Sequence, residues 1–166
     1  MLLPSPPLRS TSDVLAFWIS TLGPLGRMPK GAPGTWGSLG ATLAAPWLFL
    51  PFSPLVRVLI LLGILAAGIW AAQRMEQLTG RKDPGCVVVD ELCGQWLTFL
   101  PFAALSPWHL LAGFALFRCF DILKPWPVRI AEKKIPSGLG MMLDDCVAAL
   151  YASLALWLLL KAFSLP

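Results

Sequence analysis

The sequence predicts an all-α fold: a polytopic helical membrane bundle of about four to five hydrophobic helices, preceded by a short N-terminal amphipathic helix. Three observations carry that expectation. Apolar residues make up 57% of the 166 and charged residues 13%, with a mean hydropathy of +0.71, which lies outside the range of soluble domains. The apolar residues gather in five stretches, 36–52, 55–72, 87–105, 107–121 and 146–163, separated by connections rich in proline, glycine or charge. Finally, the charges sort to one side of the bundle that these stretches would build.

Residues 1–30 form an N-terminal arm of a single membrane-embedded domain, 1–166. The opening MLLPSPPLRSTSD has no apolar run long enough for a signal core, and VLAFWISTL is too short for a span and is followed by glycine and proline. It is expected to be the short amphipathic helix, and the whole chain is taken as mature protein. KGAPGTWGSLG, 30–40, repeats glycine every three residues at Gly34, Gly37 and Gly40. It suits a close-packed loop or helix start offering the Thr35 and Ser38 hydroxyls to a phosphate, but it is no P-loop, because no GK[ST] follows.

The turns PFSP, 51–54, and PFAALSPW, 101–108, are short and nearly uncharged, whereas the opposite connections are longer and carry glycine and charge. With five spans, the latter side holds Arg9, Arg27, Lys30, Arg74, Arg81, Lys82, Arg118, Lys124, Arg129, Lys133 and Lys134. That leaves two of the 13 basic residues, Arg57 and Lys161, facing the other way. The positive-inside rule makes the basic side cytoplasmic. All nine acids fall there too, which that rule does not require, and which marks a site.

Three acidic clusters stand at that face. Asp90 and Glu91 open the third stretch in VVVDELCGQW, and Gly94, on the face of Asp90, would let another backbone approach the carboxylate. In FRCFDILKPWPVR, Arg118, Asp121 and Lys124 follow at three-residue spacing, and Pro125 disfavours helix at Lys124. Arg118, Lys124 and Arg129 outnumber the local acid, leaving positive charge for an anion such as phosphate. Asp144 and Asp145 open the last stretch, where adjacent acids repel each other and resist lipid unless a cation compensates them. Oxygen ligands of this kind, a few carboxylates completed by water and substrate phosphate, are what Mg2+ takes.

What is missing narrows the chemistry. His109, the single histidine, is expected on the external side, and no cysteine has the CxxxxxR spacing of a phosphate cradle. The four cysteines form no CxxC pair and are expected to be small buried hydrophobes. Carboxylate and metal chemistry on a phosphate at the membrane surface remains. From another class, a small membrane transporter or structural subunit would use acidic ion pairs, but deep within its spans rather than at one edge.

PGTWGSLG at 33–40, VVDELCGQW at 88–96, FRCFDILKPWPVR at 117–129 and GLGMMLDDCVAAL at 138–150 together resemble the phosphatidylglycerophosphatase A family of bacterial membrane lipid phosphatases. The resemblance implies a Mg2+-dependent hydrolase that converts phosphatidylglycerophosphate into phosphatidylglycerol and phosphate at the cytoplasmic face of the inner membrane. By motif, it implies Asp90, Glu91, Asp121, Asp144 and Asp145 as metal-binding and catalytic acids, with Lys124 as a catalytic and phosphate-binding residue. Arg118, Arg129, Thr35 and Ser38 complete the expected phosphate contacts. Asp83, in DPG, receives no ligand role. Water attack assisted by a carboxylate and an aspartyl-phosphate intermediate are both compatible with these residues.

Overall fold

A computed structural model describes residues 8–28, 32–124, 126 and 138–163, and among these the regular structure is entirely helical. Helix α1 (Thr11–Thr21) starts with a reciprocal cap: the Ser10 hydroxyl accepts from the Asp13 backbone N–H, and the Asp13 carboxylate accepts from the Ser10 N–H. A short 3-10 turn, Leu25–Arg27, follows. Helices α2 (Pro33–Leu48), α3 (Pro54–Thr79) and α5 (Pro107–Leu123) each begin with proline, whose fixed φ suits the first helical position. Ser53 and Ser106 cap α3 and α5, and α3 stops at Gly80, which takes the left-handed conformation. Helix α4 (Val89–Phe99) and helix α6 (Gly138–Phe163) complete the order.

Helix α6 is the central packing element, lying against α4, α5 and α3, while α2 covers α4 and α1 lies on α3. The core between them includes Phe49, Met75, Phe99, Met142 and Leu156, all fully buried, and Phe49 stacks on Trp96 at 5.0 Å. Successive helices run in alternating directions. The starts of α2, α4 and α6 and the ends of α3 and α5 therefore meet at one end of the bundle, where Gly138 abuts the backbone at Ile69 and Gln73 and Gly34 approaches Glu91 and Arg118.

Two of the five expected spans correspond to helices long and apolar enough to cross a membrane, α3 and α6, each of 26 residues. At a rise of about 1.5 Å per residue, each exceeds the hydrocarbon core of a bilayer. The other stretches fold into α2, α4 and α5, of 16, 11 and 17 residues. The largest departure is 87–105: Val87 and Val88 are buried ahead of the helix, and after Phe99 the chain turns at Pro101. The N-terminal helix is present, with its faces arranged unusually. Asp13, Ser20 and Thr21 are buried together with Ala16 and Phe17, while Val14, Leu15 and Trp18 are exposed. Of the cysteines, Cys86 and Cys93 are buried as expected, but Cys119 is exposed.

Candidate active site

Short-range contacts fix where the acids stand. The Val88 N–H donates to the Ser20 carbonyl at 2.7 Å, so the end of α1 holds the start of α4, and Asp90 and Glu91 occupy its first turn. Acids there are favoured by the helix dipole. The two acidic pairs share a local pattern: Asp90 Oδ1 accepts from the Glu91 N–H, and Asp144 Oδ1 accepts from the Asp145 N–H, both at 3.1 Å.

Two glycines let these elements close on one another. A Cβ at Gly94 would stand 3.1 Å from the Asp145 carbonyl and 2.6 Å from the Phe117 ring, so the backbone approach expected beside Asp90 is that of α6. A Cβ at Gly34 would fall 2.0 Å from Glu91 Oε1, so the first turn of α2 leaves the space that this carboxylate occupies. Gly34 is a site-shaping residue that spacing alone presents as helix packing.

Asp90, Glu91 and Asp145 come together, each offering an oxygen within 4.8 Å of the others. Asp90 and Asp145 are buried, as are Glu91 Oε2 and Asp145 Oδ2, and neither of those two oxygens has a hydrogen-bond partner. Three ionised carboxylates at this separation repel by about 3 kcal/mol per pair at an effective dielectric constant near 20. The set could hold a hard divalent cation, which would neutralise the repulsion and satisfy the open oxygens while keeping positions for water or a phosphate oxygen.

The remaining predicted residues surround this trio. Asp121 lies close enough to Asp145 to interact with it electrostatically, and binds Arg118 Nη1 at 2.5 Å. Arg118 also stands 3.9 Å from Glu91. Asp144 turns to Lys124, whose Nζ donates to it at 2.8 Å. Helix α5 ends at Leu123 and Lys124 adopts φ 43°, a left-handed conformation that costs about 1–2 kcal/mol for a residue with a Cβ. The next residue is Pro125, which disfavours further helix. Thr35 is half-buried in the first turn of α2, while Ser38 is wholly buried and donates to the Gly34 carbonyl at 2.9 Å. Arg129 lies outside the described residues.

Gln95 was not singled out by spacing. It follows Glu91 by one turn, is fully buried, and neither amide atom has a partner. An amide in an otherwise apolar stretch was the available signal.

A family profile described as phosphatidylglycerophosphatase A matches residues 18–160. A Haemophilus influenzae protein named phosphatidylglycerophosphatase A is 36% identical over 142 residues, 81% of this chain and 87% of its own length. An Escherichia coli K12 protein of the same name is 34% identical, covering 73% and 70%. A Bacteroides thetaiotaomicron protein provisionally named a phosphatidylinositol-3-phosphatase is 43% identical over 127 residues, covering 73% and 79%. No solved structure matches the chain. Four motifs in family order, the carboxylates they deliver to one end of the bundle and a profile match over most of the sequence agree: the chain belongs to the phosphatidylglycerophosphatase A family and is a phosphatase, a hydrolase of phosphoric monoesters.

Proposed function

We propose that the protein is a Mg2+-dependent phosphatidylglycerophosphatase that removes the terminal phosphomonoester of phosphatidylglycerophosphate, leaving phosphatidylglycerol and inorganic phosphate. It acts as a multi-pass protein of the cytoplasmic membrane with its site at the cytoplasmic face. The observation that carries this reading is the buried trio Asp90, Glu91 and Asp145 with its unpartnered oxygens. The names of the relatives supply the substrate, and Arg118 and Lys124 at that end, with α3 and α6 long enough to span, support the orientation.

Asp90, Glu91 and Asp145 would hold the cation, with Asp121 and Asp144 beside them. When bound, Mg2+ supplies charge neutralisation at the phosphoryl oxygens and a fixed point for the phosphate. Lys124 and Arg118 add N–H donors to those oxygens, their side chains held by Asp144 and Asp121. Thr35, in the first turn of α2, stands at the same end. In the hydrolysis, a water oxygen forms a bond to phosphorus as the bond from phosphorus to the headgroup oxygen breaks. One site carboxylate accepts the water proton, and the leaving alkoxide receives a proton to become the terminal hydroxyl of the lipid product. A route in which an aspartate attacks first and water cleaves the acyl phosphate uses the same residues.

The test is phosphate release in detergent micelles with and without Mg2+, for the native chain, Asp145→Asn and a His109→Ala control. Release that needs Mg2+, survives in His109→Ala and falls at least about a hundredfold in Asp145→Asn supports the reading. A folded native protein that releases nothing from this lipid under any divalent metal overturns it. The Bacteroides relative motivates a parallel arm with phosphatidylinositol 3-phosphate; faster release there would reassign the substrate while leaving the carboxylate chemistry intact.

A further inference from the structure

A cleft of about 420 Å³ opens between the start of α1 and the last turns of α3, lined by Ser12, Trp70, Gln73, Arg74 and Gln77. None of these residues belongs to the carboxylate site. We propose that the cleft is a second lipid site, which binds the phosphodiester headgroup of a phospholipid that is not being hydrolysed. It rests on the reading that α3 crosses a bilayer.

The lining is rich in donors and poor in acceptors. Arg74 donates from Nε and Nη2 to Asp13 Oδ1 at 2.9 and 2.7 Å and from Nη1 to Gln77 Oε1 at 3.0 Å. A guanidinium has five N–H groups, so two stay beyond these bonds, on a side chain that is 37% exposed. Asp13 Oδ2 in turn accepts from the Arg9 and Ser10 backbone N–H groups, so both carboxylate oxygens are engaged. With its Oε1 turned to Arg74, Gln77 directs its NH2 elsewhere; Gln73, exposed, adds an amide, and Ser12 a hydroxyl that also hydrogen-bonds with the Ser10 hydroxyl at 2.9 Å. A phosphodiester has two non-bridging oxygens that only accept, and matches this set; a cation finds no carboxylate oxygen left for it.

The setting selects a lipid over a free phosphate. Trp70, 43% exposed, forms one wall near the end of the apolar run of α3, and an indole there is the usual residue of headgroup depth. Helix α1 turns the Asp13 carboxylate and the Ser20 and Thr21 hydroxyls toward the protein, while Val14, Leu15 and Trp18 face outward. The ion pair of the buried Asp13 with the part-exposed Arg74 fixes that orientation, as an in-plane interfacial helix requires. Arg9 and Arg81, both exposed, flank α1 and α3 at this end and complement phosphate charge.

The experiment is native mass spectrometry of the detergent-solubilised full chain titrated with dioleoyl phosphatidylethanolamine, which lacks a phosphomonoester. Dioleoylglycerol and glycerophosphoethanolamine serve as the lipid without phosphate and the phosphodiester without acyl chains. The proposal expects one retained phosphatidylethanolamine, weakened about tenfold in a Gln73→Ala/Gln77→Ala double variant and in Trp70→Leu, and unchanged in Asp145→Asn. Phosphate release in micelles stays at the native level in the double variant. Equal binding of dioleoylglycerol or of glycerophosphoethanolamine, native affinity in both cleft variants, or loss in Asp145→Asn each overturns it. Retention of the lipid by a chain that releases no phosphate sinks the phosphatase reading alone.

Discussion

Among single residues, Gly34 and Gln95 separate function from stability. An alanine at Gly34 would place its Cβ on Glu91 Oε1, the far end of a flexible side chain, so the carboxylate swings aside and the fold survives. Gly34→Ala is expected to shift the unfolding midpoint little while cutting phosphate release more than about tenfold, since Glu91 leaves the trio; full activity would show that Glu91 is not needed there. Gln95 has the opposite character. Its buried amide lost its water without gaining a partner, at a cost of about 1–3 kcal/mol. Gln95→Met is expected to stabilise the protein by about 1 kcal/mol in thermal or denaturant unfolding. A loss of stability would mean that the amide is satisfied by ordered water. The acids were legible because adjacent carboxylates entering apolar segments demand compensation. Their division of labour was not: that Asp145 joins Asp90 and Glu91 while Asp144 turns to Lys124 depends on the helix rotation, which a pair of neighbouring aspartates does not reveal.

At the scale of elements, helix starts were legible where the chemistry is local, as at Ser53-Pro54 and Ser106-Pro107, and so was the stop before Pro125. Helix lengths were not, because an apolar run looks the same whether it is helix or a buried turn; 87–105 contains both. The attachment of α1 to α3 was also hidden, since Asp13 and Arg74 lie 61 positions apart. That attachment has a pH signature. Hydrogen bonds from Arg74 and from the Arg9 and Ser10 backbone hold Asp13 down at about 2, below its ordinary 3.8. A depressed carboxylate contributes stability that is full above the unfolded value and is lost as pH falls through the folded one. The native chain should therefore exceed Asp13→Asn in unfolding midpoint at pH 5, and the gap should close on acidification from about pH 4 to pH 2. A gap that persists unchanged at pH 2 would show that the Asp13 charge does not hold α1.

The whole molecule is polarised: the site acids, their paired cations and the starts of α2, α4 and α6 gather at one end, and uncharged turns close the other. That second end carries Arg57, which the sequence presented only as a minority charge facing away from the basic side. It is buried, and its guanidinium donates to four turn carbonyls: from Nε to Phe52 at 2.9 Å, from Nη1 to Phe102 at 2.5 Å, and from Nη2 to Leu50 and to Ala103. Carbonyls at helix ends have no intrahelical partner, and an apolar surrounding offers no water to replace one. One side chain thus satisfies the turn between α2 and α3 and the turn between α4 and α5, locking two antiparallel pairs at the end farthest from the carboxylates. Methionine can fill the volume beside the Phe49 ring but supplies no donor, and lysine brings three donors from one atom that cannot fork across both turns. Arg57→Met is expected to lower unfolding free energy by about 3 kcal/mol, with Arg57→Lys recovering less than half. Below the unfolding transition both should keep the native KM and kcat, because helices α3 to α6 still converge at the site. A rise in KM at temperatures where the variant is fully folded would show that the two ends are coupled and that the turns set the spacing of the carboxylates.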